Sequence, residues 1–241
     1  MTECEKPTVI IPYEGACEDD NCRDIFVYLR PETNGVLVES SLLRVIEVNP
    51  LYRDNTQLVY LANIPGGFIK KNRIIEDHYR YKMPFARYGG SIFTENMRER
   101  FERYFDKTWD EEKVIGAYDA LEALKLTEEE LFEIRVPQEE VLNINCQVVK
   151  KINDIYVVNY DIPALLRKNN SQTDIAVMLF RSMLSRTDFH AMIDEMDESL
   201  VECGVISRIG TFRRAFHYSR GPFEQMLDAR GHLYAENGAH V

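Results

Sequence analysis

From Ile206 to Gly221 the chain carries four arginines (Arg208, Arg213, Arg214 and Arg220) and one histidine, with no acid. The formal net charge of the whole protein is -11. Guanidinium groups concentrated in an otherwise acidic chain suit the binding of an oxyanion, and the local pattern gives such a group a place to sit. Phe212, Arg214, Phe216 and Tyr218 alternate with Arg213, Ala215, His217 and Ser219, the two-residue period of a strand with unlike faces. One face is mostly aromatic and the other presents Arg213, His217 and Ser219. Arg220-Gly221 ends the strand, and Pro222 suits the first position of a helix because its missing N–H would lack a partner there anyway. Gly231 is a good helix stop. A strand that turns through Ser-Arg-Gly into a helix start presents unpaired backbone N–H groups and a positive dipole end. The expected ligand-binding set is Arg213, His217, Ser219, Arg220 and Gly221, and the expected ligand is a small phosphorylated or carboxylated molecule.

A second reading stays open. The stretch Thr187 to Leu200 reads as a helix with Phe189, Met192, Ile193, Met196 and Leu200 inwards and a carboxylate-rich outer side. Asp194 and Glu198 lie one turn apart there and repel unless a positive group is near. Arg208 or Arg214 could supply it, since consecutive elements usually pack together. The arginine cluster would then be satisfied internally, in a non-catalytic interaction or assembly protein.

The elements that must position these residues follow from periodicity and turn chemistry. Asp24–Leu29 and Leu58–Leu61 read as strands, rich in β-branched and aromatic residues. Between them, 35–49 is open between a hairpin arm and a helix. Residues 67–133 read as a helical layer or insertion: a basic helix ended by Met83-Pro84, an amphipathic one from Phe93 to Phe105, one opened by Thr108 with Glu111, and one by Thr127 with Glu130. Strands return with Gln147–Ile152 and Ile155–Tyr160 around an Asn153-Asp154 turn. Asp174–Phe180 is nearly all apolar, as in a central strand covered on both faces. A polar loop, Asn159 to Asp174, feeds it, a common setting for a site and equally for caps and turns. The expected fold is α+β: one domain, 1–241, with a mixed sheet, helices mainly on one face and the helical subregion at about 67–133.

FVYLRPETNGVLVESSLLRVIEV followed by LVYLANIP resembles the opening strand–helix–strand of nucleoside-diphosphate kinases, with Arg30-Pro31-Glu32 where that family has Lys-Pro-Asp. The resemblance covers Ile25 to Ile64 and implies a ferredoxin-like sheet. That family works through a histidine in an Asn-x-x-His-Gly-Ser-Asp run. None of the five histidines here lies in one, so its activity does not carry over.

Composition excludes several classes. A net charge of -11 opposes nucleic acid and anionic membranes as partners, because both require an extended positive field. No apolar run approaches the roughly 20 residues of a membrane span, and the N-terminus lacks a signal pattern. The five cysteines are odd in number and scattered, which fits reduced thiols in the cytoplasm. Cys17 and Cys22 flank an acidic run and lack zinc spacing, so a solvated loop is expected and no metal. Walker, dinucleotide and nucleophile-elbow patterns are missing. Neither a catalytic residue nor a cofactor can be named; a homo-oligomer is compatible with everything above.

Overall fold

The computed structural model describes residues 6–19, 21–31, 33–168, 173–206, 215–219 and 222–241. Along the chain the elements are β1 (Thr8–Ile11), β2 (Arg23–Leu29), α1 (Val36–Val48), α2 (Pro50–Asn55), β3 (Thr56–Ile64), α3 (Gly66–Asn72), α4 (Ile74–His78), α5 (Met83–Tyr88), α6 (Glu95–Phe105), β4 (Lys113–Gly116), α7 (Ala117–Leu124) and α8 (Glu128–Glu133). Then come β5 (Val141–Ile144), β6 (Gln147–Ile152), β7 (Ile155–Val158), α9 (Ile162–Lys168), β8 (Ile175–Ser182), α10 (Arg186–Glu202), β9 (Phe216–Tyr218) and α11 (Pro222–Ala229). The fold is α+β, and it divides into two compact units: 1–74 with 169–241, and 75–168. The expected helical subregion lies mostly in the second. No helix among the described residues is long and apolar enough to cross a membrane.

The first unit is built on the five-stranded antiparallel sheet β1-β3-β8-β2-β9. Its strands β2, β3, β8 and β9, with crossover helices α1 and α10, form a βαββαβ chain whose spatial order is 2-3-1-4. That is the ferredoxin-like arrangement, the sheet that the likeness of Ile25–Ile64 implied. The open choice at 35–49 resolves as helix. Val38, Leu42 and Ile46 recur at helical spacing and are buried with Ile25, Val27 and Leu29 of β2 and with Met192 and Met196 of α10 in one apolar core. β8 is central and buried along nearly its whole length, as its apolar run predicts. Alternate residues of β2, Phe26 and Tyr28, point away from that core and are also buried. The C-terminal segment covers this second face: His232 stacks on Tyr28 with ring centroids 5.5 Å apart, and the Tyr234 amide donates to the Tyr60 hydroxyl at 2.9 Å.

The second unit holds the sheet β4-β7-β6-β5, parallel between β4 and β7 and antiparallel elsewhere. Its core joins Phe93, Met97 and Phe101 to Leu142, Val149 and Tyr156, while Tyr104 of α6 is exposed. The hairpin around Asn153 is present, with that residue at φ 54.

Three local expectations need correction. Met83-Pro84 starts α5 instead of ending a helix, because proline tolerates a first-turn position where no N–H is required; the basic helix breaks earlier, at left-handed Arg73. Thr108 opens only a three-residue 3-10 turn without a side-chain cap, and Val114 continues into β4, where pairing with β7 overrides local helix propensity. The helix expected from Thr187 starts at Arg186 as α10 and is capped by Ser185, whose Oγ accepts from the Asp188 amide at 3.1 Å.

The box at Thr127 is complete: the Thr127 amide donates to Glu130 at 2.8 Å and the Glu130 amide to the Thr127 hydroxyl at 3.3 Å. Replacing Thr127 with alanine is expected to cost about 1 kcal/mol, read as a lower urea midpoint with an unchanged slope.

Candidate functional site

β9 pairs with β2 in the register Val27 with Tyr218, Tyr28 with His217 and Leu29 with Phe216, and the Ser219 amide continues the ladder to the Phe26 carbonyl at 3.0 Å. Phe216 and Tyr218 pack into or against the core beneath α1 and α10. Since successive strand residues face opposite ways, His217 and Ser219 share the other face with Tyr28 and Phe26. The His217 ring stacks on Tyr28 with centroids 5.0 Å apart. The predicted alternation therefore holds over 216–219. Arg213, Arg220 and Gly221 lie outside the described residues, as do Arg208 and Arg214.

A third residue completes the described part of the corner. Asp228, in the last turn of α11, brings one carboxylate oxygen, Oδ2, to 2.6 Å from His217 Nε2 and 2.7 Å from Ser219 Oγ. The Asp228 side chain is 7 % exposed and that of His217 19 %. A carboxylate accepts, so Nε2 carries a proton and the hydroxyl points its own at the same oxygen. The order is Ser–Asp–His, with the acid in the middle. In a Ser–His–Asp triad the imidazole takes the hydroxyl proton; here the hydroxyl proton goes to the acid. The arrangement thus does not make Ser219 a histidine-activated nucleophile. It fixes an imidazole and a hydroxyl on one face of the strand.

His232 lies directly after this clasp. Its Nδ1 is 2.8 Å from the Asp228 carbonyl oxygen, which fixes the proton on Nδ1. Complete burial, with the nearby His217 adding to it, pushes its pKa down to about 4. The unfolded value is about 6.5, so between those limits the unfolded chain holds a proton that the folded one excludes. Stability is full above pH about 6.5 and declines as the pH falls towards 4, by about 3 kcal/mol over the interval. His232→Asn, whose amide can still donate to the Asp228 carbonyl, is expected to flatten that slope in urea unfolding between pH 7 and 4.

Asp228 had a signal in the sequence: an acid in the last turn of a helix opposes the helix dipole and calls for a positive neighbour. Tyr28 and His232 had none beyond aromatic character. In the polar loop leading to β8, several of the described groups bond within the protein. Asn159 is fully buried, donating to Gln147 and to the Lys82 carbonyl and accepting from the Val148 amide. Asp174 accepts from Asn63 and from the Gly66 amide, and Arg167 and Lys168 pair with Glu128 and Glu129. In the acidic α10, Glu195 accepts from the Tyr52 hydroxyl at 2.6 Å. Cys17, Cys22, Cys146 and Cys203 are free thiols; burial and the neighbouring Cys17 push Cys22 up to about 11, which disfavours the thiolate a metal needs. Compared with protein-family models, curated proteins and solved structures, the chain matches none.

Proposed function

We propose that the corner between β9 and α11 binds a small anionic ligand, phosphorylated or carboxylated, through Arg213, His217, Ser219, Arg220 and the Gly221 backbone, in a cytoplasmic protein. The observation that carries this reading is the clasp at Asp228. A buried carboxylate holds the imidazole of His217 and the hydroxyl of Ser219 on one face of the strand, at the turn where the basic stretch enters a helix. The four arginines of 208–220 bring positive charge to the same stretch of sequence, which suits an anion. No reaction is assigned.

The same clasp favours a second reading, an interaction or assembly protein, oligomeric or not, whose basic groups are satisfied by its own acids: two of the five residues already bond to one. Thermal unfolding across nucleotides and sugar phosphates separates the two. Ligand binding raises the melting temperature of the wild type, and Arg220→Ala removes the rise while leaving the ligand-free protein folded. A flat response to every anion, together with destabilisation by Arg220→Ala, belongs to the second reading.

A further inference from the structure

Cys17 and Cys22 lie in the segment that joins β1 to β2, and the chain there turns back on itself. The Cys22 amide donates to the Asp19 carbonyl at 2.9 Å and the Asn21 amide to Asp19 Oδ1 at 2.8 Å. The turn brings the two thiols together, and the Cys22 side chain is hydrogen-bonded to Cys17. Cys17 is exposed, open to a reagent from solvent, and Cys22 is partly buried behind it. Both ends of the segment are tied to one guanidinium. Arg181 of β8 donates to the Gly15 carbonyl and pairs with Asp24 of β2 through Nε and Nη2, at 2.7 and 2.9 Å. The Tyr13 hydroxyl donates to the same carboxylate at 2.7 Å. With residues 13, 15 and 24 held in this way, the stretch between them has little slack, and the positive charge of Arg181 acts on both sulfurs. A cation beside two neighbouring thiols, one of them in water, is the setting of reactive cysteines.

We propose that Cys17 and Cys22 form a reversible dithiol–disulfide pair, oxidised by a low-molecular-weight disulfide such as glutathione disulfide. In a reducing compartment such a pair is a transient, redox-sensing device and not a structural staple. The two sulfurs have different parts. Burial and the Cys17 neighbour keep the Cys22 thiol protonated, which leaves the exposed Cys17 to attack first. Its thiolate displaces one glutathione thiolate and forms a mixed disulfide with the other half of the reagent. The mixed disulfide removes the thiol partner that helped to hold the proton on Cys22. Cys22 then gives that proton to water, attacks the Cys17 sulfur and releases the second glutathione thiolate. The protein loses two electrons and two protons; glutathione disulfide gains both and leaves as two thiols. Reduced glutathione in excess runs the same steps backwards. The proposal is independent of the anion-binding reading of the β9–α11 corner.

The test uses the full chain carrying Cys4→Ser, Cys146→Ser and Cys203→Ser, so that only the proposed pair remains, with the wild type mapped in parallel in case that background fails to fold. Each protein is equilibrated without oxygen in mixtures of reduced and oxidised glutathione, quenched with acid, and read by intact mass and peptide mapping. The expected product is an intramolecular disulfide between Cys17 and Cys22, seen as the loss of two hydrogen atoms, that returns to the dithiol when reduced glutathione is added. Cys22→Ser in the same background removes the second attack and is expected to hold one glutathione on Cys17. Cys17→Ser is expected to take up glutathione at Cys22 about tenfold more slowly, because the partly buried thiol must then react first. Uptake of two glutathiones with no link between the cysteines, or no reaction at either thiol while the wild type is folded, would overturn the proposal. Equal rates in the two single variants would overturn the order of attack.

Discussion

A Gly116→Ala protein is expected to lose the second unit. Gly116 has φ -74 and ψ 162, angles open to any residue, so the cost is steric. A methyl there would overlap the Ala86 carbonyl oxygen and stand 2.8 and 2.9 Å from the carbonyl carbons of Ala86 and Arg87, all backbone atoms that no rotamer change can move. Gly89 meets the same seam from the other side: at φ 53, a methyl on it would run into the backbone of Ile115 and Gly116. These two glycines let the end of α5 touch β4 backbone to backbone. Relief would require parting them, at a cost of about 4 kcal/mol or more. Urea unfolding followed by circular dichroism should show the transition lost or moved sharply down. Gly67→Ala is the control: a methyl at Gly67, within α3, meets nothing within 4 Å, and alanine is expected to be neutral or to stabilise by about 0.5–1 kcal/mol.

The second large effect is at Asp228. Asp228→Ala leaves the Ser219 hydroxyl and the His217 N–H without their shared acceptor, in a corner where Ser219 is 4 % exposed. An orphaned buried donor costs about 1–3 kcal/mol, and more when charged, so a loss of about 3 kcal/mol is expected. Asp228→Asn keeps an oxygen that can accept and should lose less, while Ser219→Ala, which removes one donor and leaves the carboxylate bonded to His217, should cost about 1 kcal/mol. The order Ala, then Asn, then Ser219→Ala in urea midpoints checks the clasp. Equal midpoints for all three would show that Asp228 does not hold β9 to α11.

Where local chemistry decides, the sequence was readable. The capping residues Thr127 and Glu130, the turn at Asn153 and the apolar run of β8 each act through neighbours a few residues away, and each appears as expected. Where a distant partner decides, it was not. Val114 and Ile115 follow a plausible helix start, and only a parallel strand some forty residues on, β7, turns them into β4. The site divides the same way. Alternation placed His217 and Ser219 on one face; Asp228 was not singled out, although its place in the last turn of a helix opposes the helix dipole. That one carboxylate oxygen would lie between them depends on how α11 returns over the strand.

The central claim is that the β9–α11 corner takes an anion. Isothermal titration of inorganic phosphate and of a sugar phosphate into wild type and Arg220→Ala, at matched ionic strength and pH 7, tests it most directly. Saturable one-site binding of at least one of them to the wild type, lost in an Arg220→Ala protein of unchanged melting temperature, is the predicted outcome. Heats of dilution alone in the wild type, or identical isotherms for both proteins, would contradict it.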